Sequence, residues 1–345
     1  MNFFNSYARR ALFWICSILF GFLVLACVQE SLVVDLPTEE RPIVFYSSEI
    51  RTDLRLTFQK AIEKAQKSIL LCTYTIGDVD IIRSLRHKAE QGVEIQVVSD
   101  RKASGDAPKL LGEKIRCVLK SDQGLMHRKI LIIDNQLVFI GSANLSTDSL
   151  RVQNNLVSGI YSPDLAHYLN DALFRPTSSS SYFSQKIATQ QIEVFLLPQN
   201  TQAEDRVLEL LSTAKKTLRV AMFTWTNPKI TQAVCAAKAR GVDVEVLLDR
   251  QSSQKTSAKV AEALKDHGIP VFLNRHSQLL HHKFAVIDDE TLILGSANWT
   301  RAAFEKNAEC FFVLSPLEER QKTCLDKLWK TTRLESVLYK NVHLP

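Results

Sequence analysis

The sequence predicts an α/β protein of two homologous domains, each a mixed, largely parallel sheet flanked by helices. Three observations carry this. First, AQKSILLCTYTI at 65–76 parallels AKKTLRVAMFTW at 214–225, and GVEIQVVSDR at 92–101 parallels GVDVEVLLDR at 241–250, both offset by 149 residues. Second, HRKILIIDNQLVFIGSAN at 127–144 recurs as HHKFAVIDDETLILGSAN at 281–298, offset by 154, so the second copy carries five extra residues ahead of this stretch. Third, apolar strand patterns alternate with helical ones of a length that suits right-handed βαβ units. With 345 residues, 46% hydrophobic and 23% charged, the chain can bury two cores, which excludes a disordered class.

The chain opens differently from the rest. Arg9 and Arg10 precede an uncharged, apolar run at 11–28, which ends before Gln29 and Glu30. Eighteen residues is near the lower limit of a bilayer-spanning helix, and the layout also fits a secretory signal peptide. Residues 1–30 are therefore expected to be a signal peptide or membrane anchor. VLAC at 24–27 resembles a bacterial lipoprotein cleavage box, which makes Cys27 a candidate for lipidation on a membrane-anchored or secreted bacterial protein. The seven cysteines show no short paired spacing, so neither a zinc site nor a disulfide framework is written, although an exported body leaves a Cys310–Cys324 bridge open. A net charge of +6 suits an anionic substrate or a membrane surface and falls short of a nucleic-acid footprint.

Each copy begins with an amphipathic helix, at 54–67 and 204–216, then a strand, a helix, and a strand ending in Asp-Arg. In the second copy Asn227 is the expected N-cap, Pro228 the first helical residue and Gly241 the stop. The serine-rich RPTSSSSYFSQ at 175–185 has no periodicity and reads as a linker. The expected domains are 43–175 and 191–340, joined by 176–190.

The stretch at 127–144 has a hairpin pattern. With Asn135-Gln136 as the turn, Lys129 falls opposite Ser142 and His127 opposite Asn144; with Asp289-Glu290, Lys283 faces Ser296 and His281 faces Asn298. Neither turn has the glycine that a tight two-residue loop prefers. Alternate strand residues share a face, so each copy gathers His, Lys, Ser and Asn into one polar cluster, while Ile130, Ile132 and Phe139 point into a core. An imidazole, an ammonium, a hydroxyl and a carboxamide, with no acid among them, suit a phosphate. Asp134 and Asp288 lie about 23 Å along an extended strand from the histidines and on the opposite face, so they are expected to stabilise the hairpin or to pair with basic residues outside the site.

His-x-Lys-x4-Asp followed after six residues by Gly-Ser-x-Asn, present twice, resembles the phospholipase D superfamily from about Ile43 to Leu314. The resemblance implies that the two copies pack about a pseudo-twofold axis with one shared active site, in a monomeric catalytic unit. It also implies that one histidine becomes a covalent phosphohistidine while the other protonates the leaving alcohol and activates the incoming one. By the same resemblance His127, His281, Lys129, Lys283 and Glu309 are catalytic, Ser142, Asn144, Ser296 and Asn298 hold phosphate, and no metal or other cofactor is needed. The family places a carboxylate about 25–30 residues after each histidine. Glu309 lies twenty-eight after His281, but Asn155 stands twenty-eight after His127. A carboxylate favours imidazolium, so His281 with Glu309 is expected as general acid and His127 with Asn155 as neutral nucleophile.

The remaining histidines, His87, His167, His267, His276, His282 and His343, read as structural, and Trp299 as core, with a cleft position as the alternative. The implied activity is hydrolysis or transphosphatidylation of glycerophospholipids at a membrane surface. A nuclease acting on DNA or RNA, and a weakened phospholipid-binding or host-interaction protein that Asn155 would explain, are the alternatives.

Overall fold

The computed structural model describes Trp14 and residues 34–121, 124–174, 180–275 and 277–339. One compact body runs from Leu36 onward. The apolar run at 11–28, with Cys27, lies outside the described residues except for Trp14. No helix among the described residues is long and apolar enough to cross a membrane.

Each repeat folds around one sheet. In the first, β1 (Ile43–Tyr46), β2 (Ser68–Thr73), β3 (Glu94–Asp100), β4 (Arg116–Lys120), β5 (Ile130–Ile133), β6 (Leu137–Gly141) and β7 (Val157–Tyr161) are ordered β1-β7-β6-β5-β2-β3-β4. The second comprises β8 (Tyr182–Ile187), β9 (Gln190–Leu197), β10 (Thr217–Met222), β11 (Asp243–Leu248), β12 (Val271–Asn274), β13 (Lys283–Ile287), β14 (Thr291–Gly295), β15 (Glu309–Ser315) and β16 (Ser336–Leu338). Its order is β16-β12-β11-β10-β13-β14-β15-β9-β8.

Both sheets are mixed, but the expectation that they are largely parallel is corrected. Only β2-β3-β4 and β10-β11-β12 run parallel; β5, β6 and β7 and their counterparts pair antiparallel. Crossover segments carrying helices join β2, β3 and β4, whereas β5 and β6 are joined by a turn too short for anything but an antiparallel neighbour. The expected linker is also shorter than 176–190, because β8 pairs with β9 and forms the edge of the second sheet. Its residues alternate between exposed and half-buried up to the buried Ile187, a pattern hidden beside the serine run.

The helices follow their caps. Asp53 accepts from Leu56 N at the head of Leu54–Lys64, and Asn227 Oδ1 accepts from Lys229 N and Ile230 N at the head of Pro228–Ala239. Gly241, at φ +90°, turns the chain after that helix. The two sheets share one core. Ile130, Ile132, Val138 and Ile140 pack in the same cluster as Phe284, Leu292, Leu294 and Phe312 of the other repeat. Each such side chain contributes about 1.5–3 kcal/mol on burial, so the repeats form one body. The opposite face of the second sheet, with Val220, Met222 and Ala285, packs with Val207, Leu211, Ile230 and Val234 of its helices. Phe139, expected beside Ile130, turns to that outer side of its own sheet, with ring centroids 6.1 Å from Tyr46 and 5.9 Å from Phe58.

The hairpin register differs from expectation by one residue. Ile133 pairs with Leu137 and Ile287 with Thr291, so Asp134 and Asp288 belong to three-residue turns. Asp134 and Asn135 have φ of 52° and 51°, and Asp288 and Asp289 have 54° and 56°. Asp and Asn tolerate this left-handed region better than other non-glycine residues, which is why the turns need no glycine. Continuing the register places Lys129 across from Gly141 and Lys283 across from Gly295. A Cβ at Gly141 would lie 2.3 Å from Leu156 O, and one at Gly295 2.3 Å from Cys310 O, so the glycine of each Gly-Ser-x-Asn permits the close approach of the next strand.

Candidate functional site

The two repeats exchange backbone bonds where the motif histidines sit. Met126 bridges Ala308 and Asn154 bridges Leu280, both in parallel. His127 N donates to Ala308 O and His281 N to Asn154 O, each at 2.9 Å. The Asp of each strand-ending Asp-Arg fixes the residue before the histidine. Asp100 Oδ2 accepts from Met126 N at 3.0 Å and Asp249 Oδ2 from Leu280 N at 3.1 Å.

Because the bridges cross between repeats, so do the imidazole partners. His127 Nδ1 lies 2.9 Å from both carboxylate oxygens of Glu309, and His281 Nδ1 lies 3.0 Å from Asn155 Oδ1. This corrects the expected pairs, in which each histidine kept the residue twenty-eight positions later. Asn155 Nδ2 donates to Ser149 O at 2.8 Å, which fixes its Oδ1 toward His281. His281 therefore carries a proton on Nδ1, and in the neutral ring Nε2 holds the lone pair.

The serines are corrected as well. Ser142 Oγ donates to Asn155 Oδ1 at 2.8 Å, and Ser296 Oγ donates to Glu309 Oε2 at 2.5 Å. Both hydroxyls are buried and support the group that orients an imidazole, so they are not free to donate to a phosphate. Asn144 Oδ1 is buried without a hydrogen-bond partner among the described residues, whereas Asn298 Oδ1 accepts from Thr224 N at 3.2 Å, leaving its Nδ2 to donate. Asp134 accepts from Gln66, Lys67 and Ser68 N, and Asp288 from Lys215, Lys216 and Thr217 N. These carboxylates tie the hairpin to the start of β2 or β10.

Lys129 Nζ and Lys283 Nζ each donate to the carbonyl of the motif histidine two residues earlier, at 2.8 Å. Burial pushes the Lys129 ammonium down to about 7, with Glu309 opposing. Burial and the Lys129 charge hold Lys283 well below the usual lysine range. The His127 imidazole is lowered by burial and by both lysines, again against Glu309. His281 is held well below its usual value by burial, Lys283, Lys129 and its histidine neighbours, with no carboxylate to oppose them. Two lysines and two imidazoles against the one carboxylate of Glu309 leave an excess of donors that suits a bound anion.

Sequence reasoning missed the aromatic walls. The Tyr74 ring lies 5.0 Å from His127 and the Phe223 ring 5.0 Å from His281. Tyr74 and Phe223 share the 149-residue offset, as do Asp100 and Asp249, so the repeat already marked all four. Trp299 is buried with its ring 4.7 Å from Trp225, a core position. Cys310 and Cys324 are free thiols, so no bridge joins them. Surface hollows lined by Glu63, Ile82 and His87, or by Tyr182, Glu193 and Arg206, contain none of the site residues.

Residues 58–175 and 207–327 match the family described as cardiolipin synthase, PLD-like domain. A mitochondrial cardiolipin hydrolase of Xenopus tropicalis is 34% identical over 113 residues, 33% of this chain and 53% of the relative. A phospholipase D of Rickettsia bellii is 32% identical over 112 residues, 32% of this chain and 55% of the relative. The chain thus spans about half the length of the curated relatives it matches. The phosphatidylserine synthase of Haemophilus influenzae has the same fold over 90% of this chain and 91% of its own, with a TM-score of 0.71 at 14% identity. With the family matching both repeats and the motif residues of each repeat meeting those of the other, the chain belongs to the phospholipase D superfamily.

Proposed function

We propose that this protein is a phospholipase D-type phosphodiesterase that hydrolyses or transphosphatidylates glycerophospholipids through a covalent phosphohistidine. The observation that carries the reading is the crossed pair of imidazoles, each held at Nδ1 by a group from the opposite repeat, between two buried lysines. With Nδ1 held, each Nε2 is the reactive nitrogen.

In the first step His127 Nε2 attacks phosphorus, and the headgroup oxygen leaves with the Nε2 proton of His281. The His127 ring becomes cationic as the P–N bond forms, and Glu309 at 2.9 Å neutralises that charge. His127 is thus the nucleophile because of the Glu309 carboxylate beside it, not because of an amide partner. His281, without a carboxylate, holds its proton weakly and gives it up readily. The bound phosphodiester anion supplies the charge that loads it. Neutral His281 then takes a proton from water or an alcohol, whose oxygen attacks phosphorus as the P–N bond breaks. Lys129, Lys283, Asn144 and Asn298 bind the phosphoryl oxygens.

The choice of lipid is supported by relatives named cardiolipin hydrolase and phospholipase D, and by the apolar run at 11–28, which would keep the site at a membrane. Both motifs lie in one chain, so the proposed catalytic unit is a monomer. The test incubates the full chain, and a His127→Asn control, with phosphatidylcholine, phosphatidylglycerol, cardiolipin and plasmid DNA. Headgroup release or phosphatidyl transfer by the wild type alone is expected, with a phosphohistidine at residue 127 after acid-free quenching. Plasmid nicking without lipid turnover would transfer the site to nucleic acid, and lipid binding without turnover would end the enzymatic reading.

A further inference from the structure

The residue between His and Lys in each motif is not a spacer. His282 is wholly buried, and its Nε2 lies 2.7 Å from Glu49 Oε1. Glu49 sits in the short helical turn Ser48–Ile50, just after β1 of the opposite repeat, with its side chain 4% exposed. Its Oε1 also accepts from Asn154 Nδ2 at 2.6 Å and from Thr332 Oγ1 at 3.1 Å, a hydroxyl shared with Leu328 O at 2.9 Å, and its Oε2 accepts from Ser47 Oγ. Burial works against ionisation, yet His282, through its charge and its hydrogen bond, and the hydrogen bonds from Ser47 and Asn154 keep the carboxyl below its ordinary range. One buried carboxylate therefore gathers one donor from its own turn, Ser47, and three from separated stretches of chain, Asn154, His282 and Thr332.

Two of those donors flank the pair His281–Asn155. Asn154 precedes Asn155 and His282 follows His281, and the backbones of the two strands meet at His281 N and Asn154 O, 2.9 Å apart. Glu49 thus grips both sides of the bridge that sets the distance from His281 to its orienting amide. The other half does this differently. Arg128, at the position matching His282, donates through Nη2 to Leu197 O at 2.8 Å and Gln199 Oε1 at 2.9 Å, and through Nε to Glu309 O at 3.2 Å. Leu197 ends β9, the strand matching β1, and Gln199 lies just beyond it, so in both repeats the middle motif residue reaches the same place across the molecule. At His127 the direct partner is a carboxylate, and the residue matching Asn154 is Ala308, which has no side chain to clamp. The added carboxylate appears where the direct partner is only an amide.

We infer that Glu49 and His282 are a positioning pair for His281, holding its ring in register with Asn155 for proton transfer without touching substrate. The inference rests on the proposed roles of the two histidines, but it has a readout that needs no turnover. In the full chain, Glu49→Gln and His282→Gln are compared with wild type by the ring 15N signals of the histidines and by steady-state kinetics. The His281 ring signals are expected to move while those of His127 stay. A displacement on the ångström scale costs on the order of 10²-fold in rate, so kcat should fall about 10- to 100-fold with KM close to wild type. Thr332→Val removes one donor of four and should give a smaller change of the same sign, keeping the test open if the other two variants unfold. Unmoved His281 signals and an unchanged kcat in folded variants would overturn the inference, as would equal responses from His127 and His281. If wild type cleaves no phosphodiester but the His281 signals still respond selectively, the positioning role stands and the catalytic reading falls.

Discussion

Lys129 carries its amine where a cation is poorly solvated, and this gives stability a pH dependence with a definite sign. Burial lowers its folded-state value to about 7, with Glu309 opposing, against 10.5 for an ordinary lysine. Between those limits the unfolded chain binds more protons, so this residue's contribution makes stability rise with pH from about 7 to about 10.5. Below that window the charged amine is a burden on the folded state. The prediction concerns the difference between wild type and Lys129→Met: between about pH 6 and about pH 9 thermal stability should rise more steeply in wild type than in the variant, which keeps only the contribution of Lys283. Inorganic phosphate should flatten the slope by stabilising the ammonium. Equal slopes in the two proteins would mean that Lys129 keeps its proton through ion pairing. Asn155, 3.0 Å from His281 Nδ1, offers a second test at one residue. Asn155→Asp would place a carboxylate there and favour imidazolium. As His281 must be protonated to release the headgroup, the alkaline limb of kcat should move to higher pH; a limb that stays in place would assign it to another group.

The hairpins show what an element requires beyond its pattern. Asp288 accepts three backbone N–H groups, and although burial opposes ionisation, the donors from Lys216, Thr217 and Lys215 keep its carboxyl below the ordinary range. Hydrogen bonds to a charged group contribute about 1.5–3 kcal/mol when well formed, and this one is partly open to solvent, so Asp288→Ala should cost about 2 kcal/mol or less. Urea unfolding should register that loss while kcat of the folded fraction stays near wild type. A large fall in kcat without loss of stability would return the Asp to the chemistry. That this residue serves the hairpin was legible from its distance to His281 and the face it occupies. The register was not, because two consecutive left-handed residues lengthen the turn by one, and nothing in the spacing separates a two-residue turn from a three-residue one. The helix boundaries were readable at Asn227 and Gly241, where a cap and a glycine state them locally. β8 was not, since its strand pattern adjoins serines that read as linker.

At the scale of the whole molecule, the duplicated fold was plain from the sequence and the crossing of its site was not. Repeat offsets report which residues correspond, and Glu309 corresponds to Asn155. They do not report which imidazole either will meet, because that depends on how the two sheets pack on their shared core. Spacing within one copy suggested His281 for Glu309; the parallel bridge from Met126 to Ala308 delivers Glu309 to His127 instead. The same packing hid Glu49, which is far from His282 in the chain and has no motif of its own. The crossing makes a prediction independent of turnover. In a double-mutant cycle on unfolding free energy, residues in contact couple, whereas separated ones add to within about 0.3–0.5 kcal/mol. Glu309→Gln combined with His127→Gln should show a coupling above about 0.5 kcal/mol, and Glu309→Gln combined with His281→Gln should be near additive. The reversed result would mean that each repeat keeps its own orienting residue, so that the two halves of the site assemble side by side. Coupling across the repeats instead makes each half incomplete until the other has folded against it, so stability of the shared core and alignment of both imidazoles are set by one packing event.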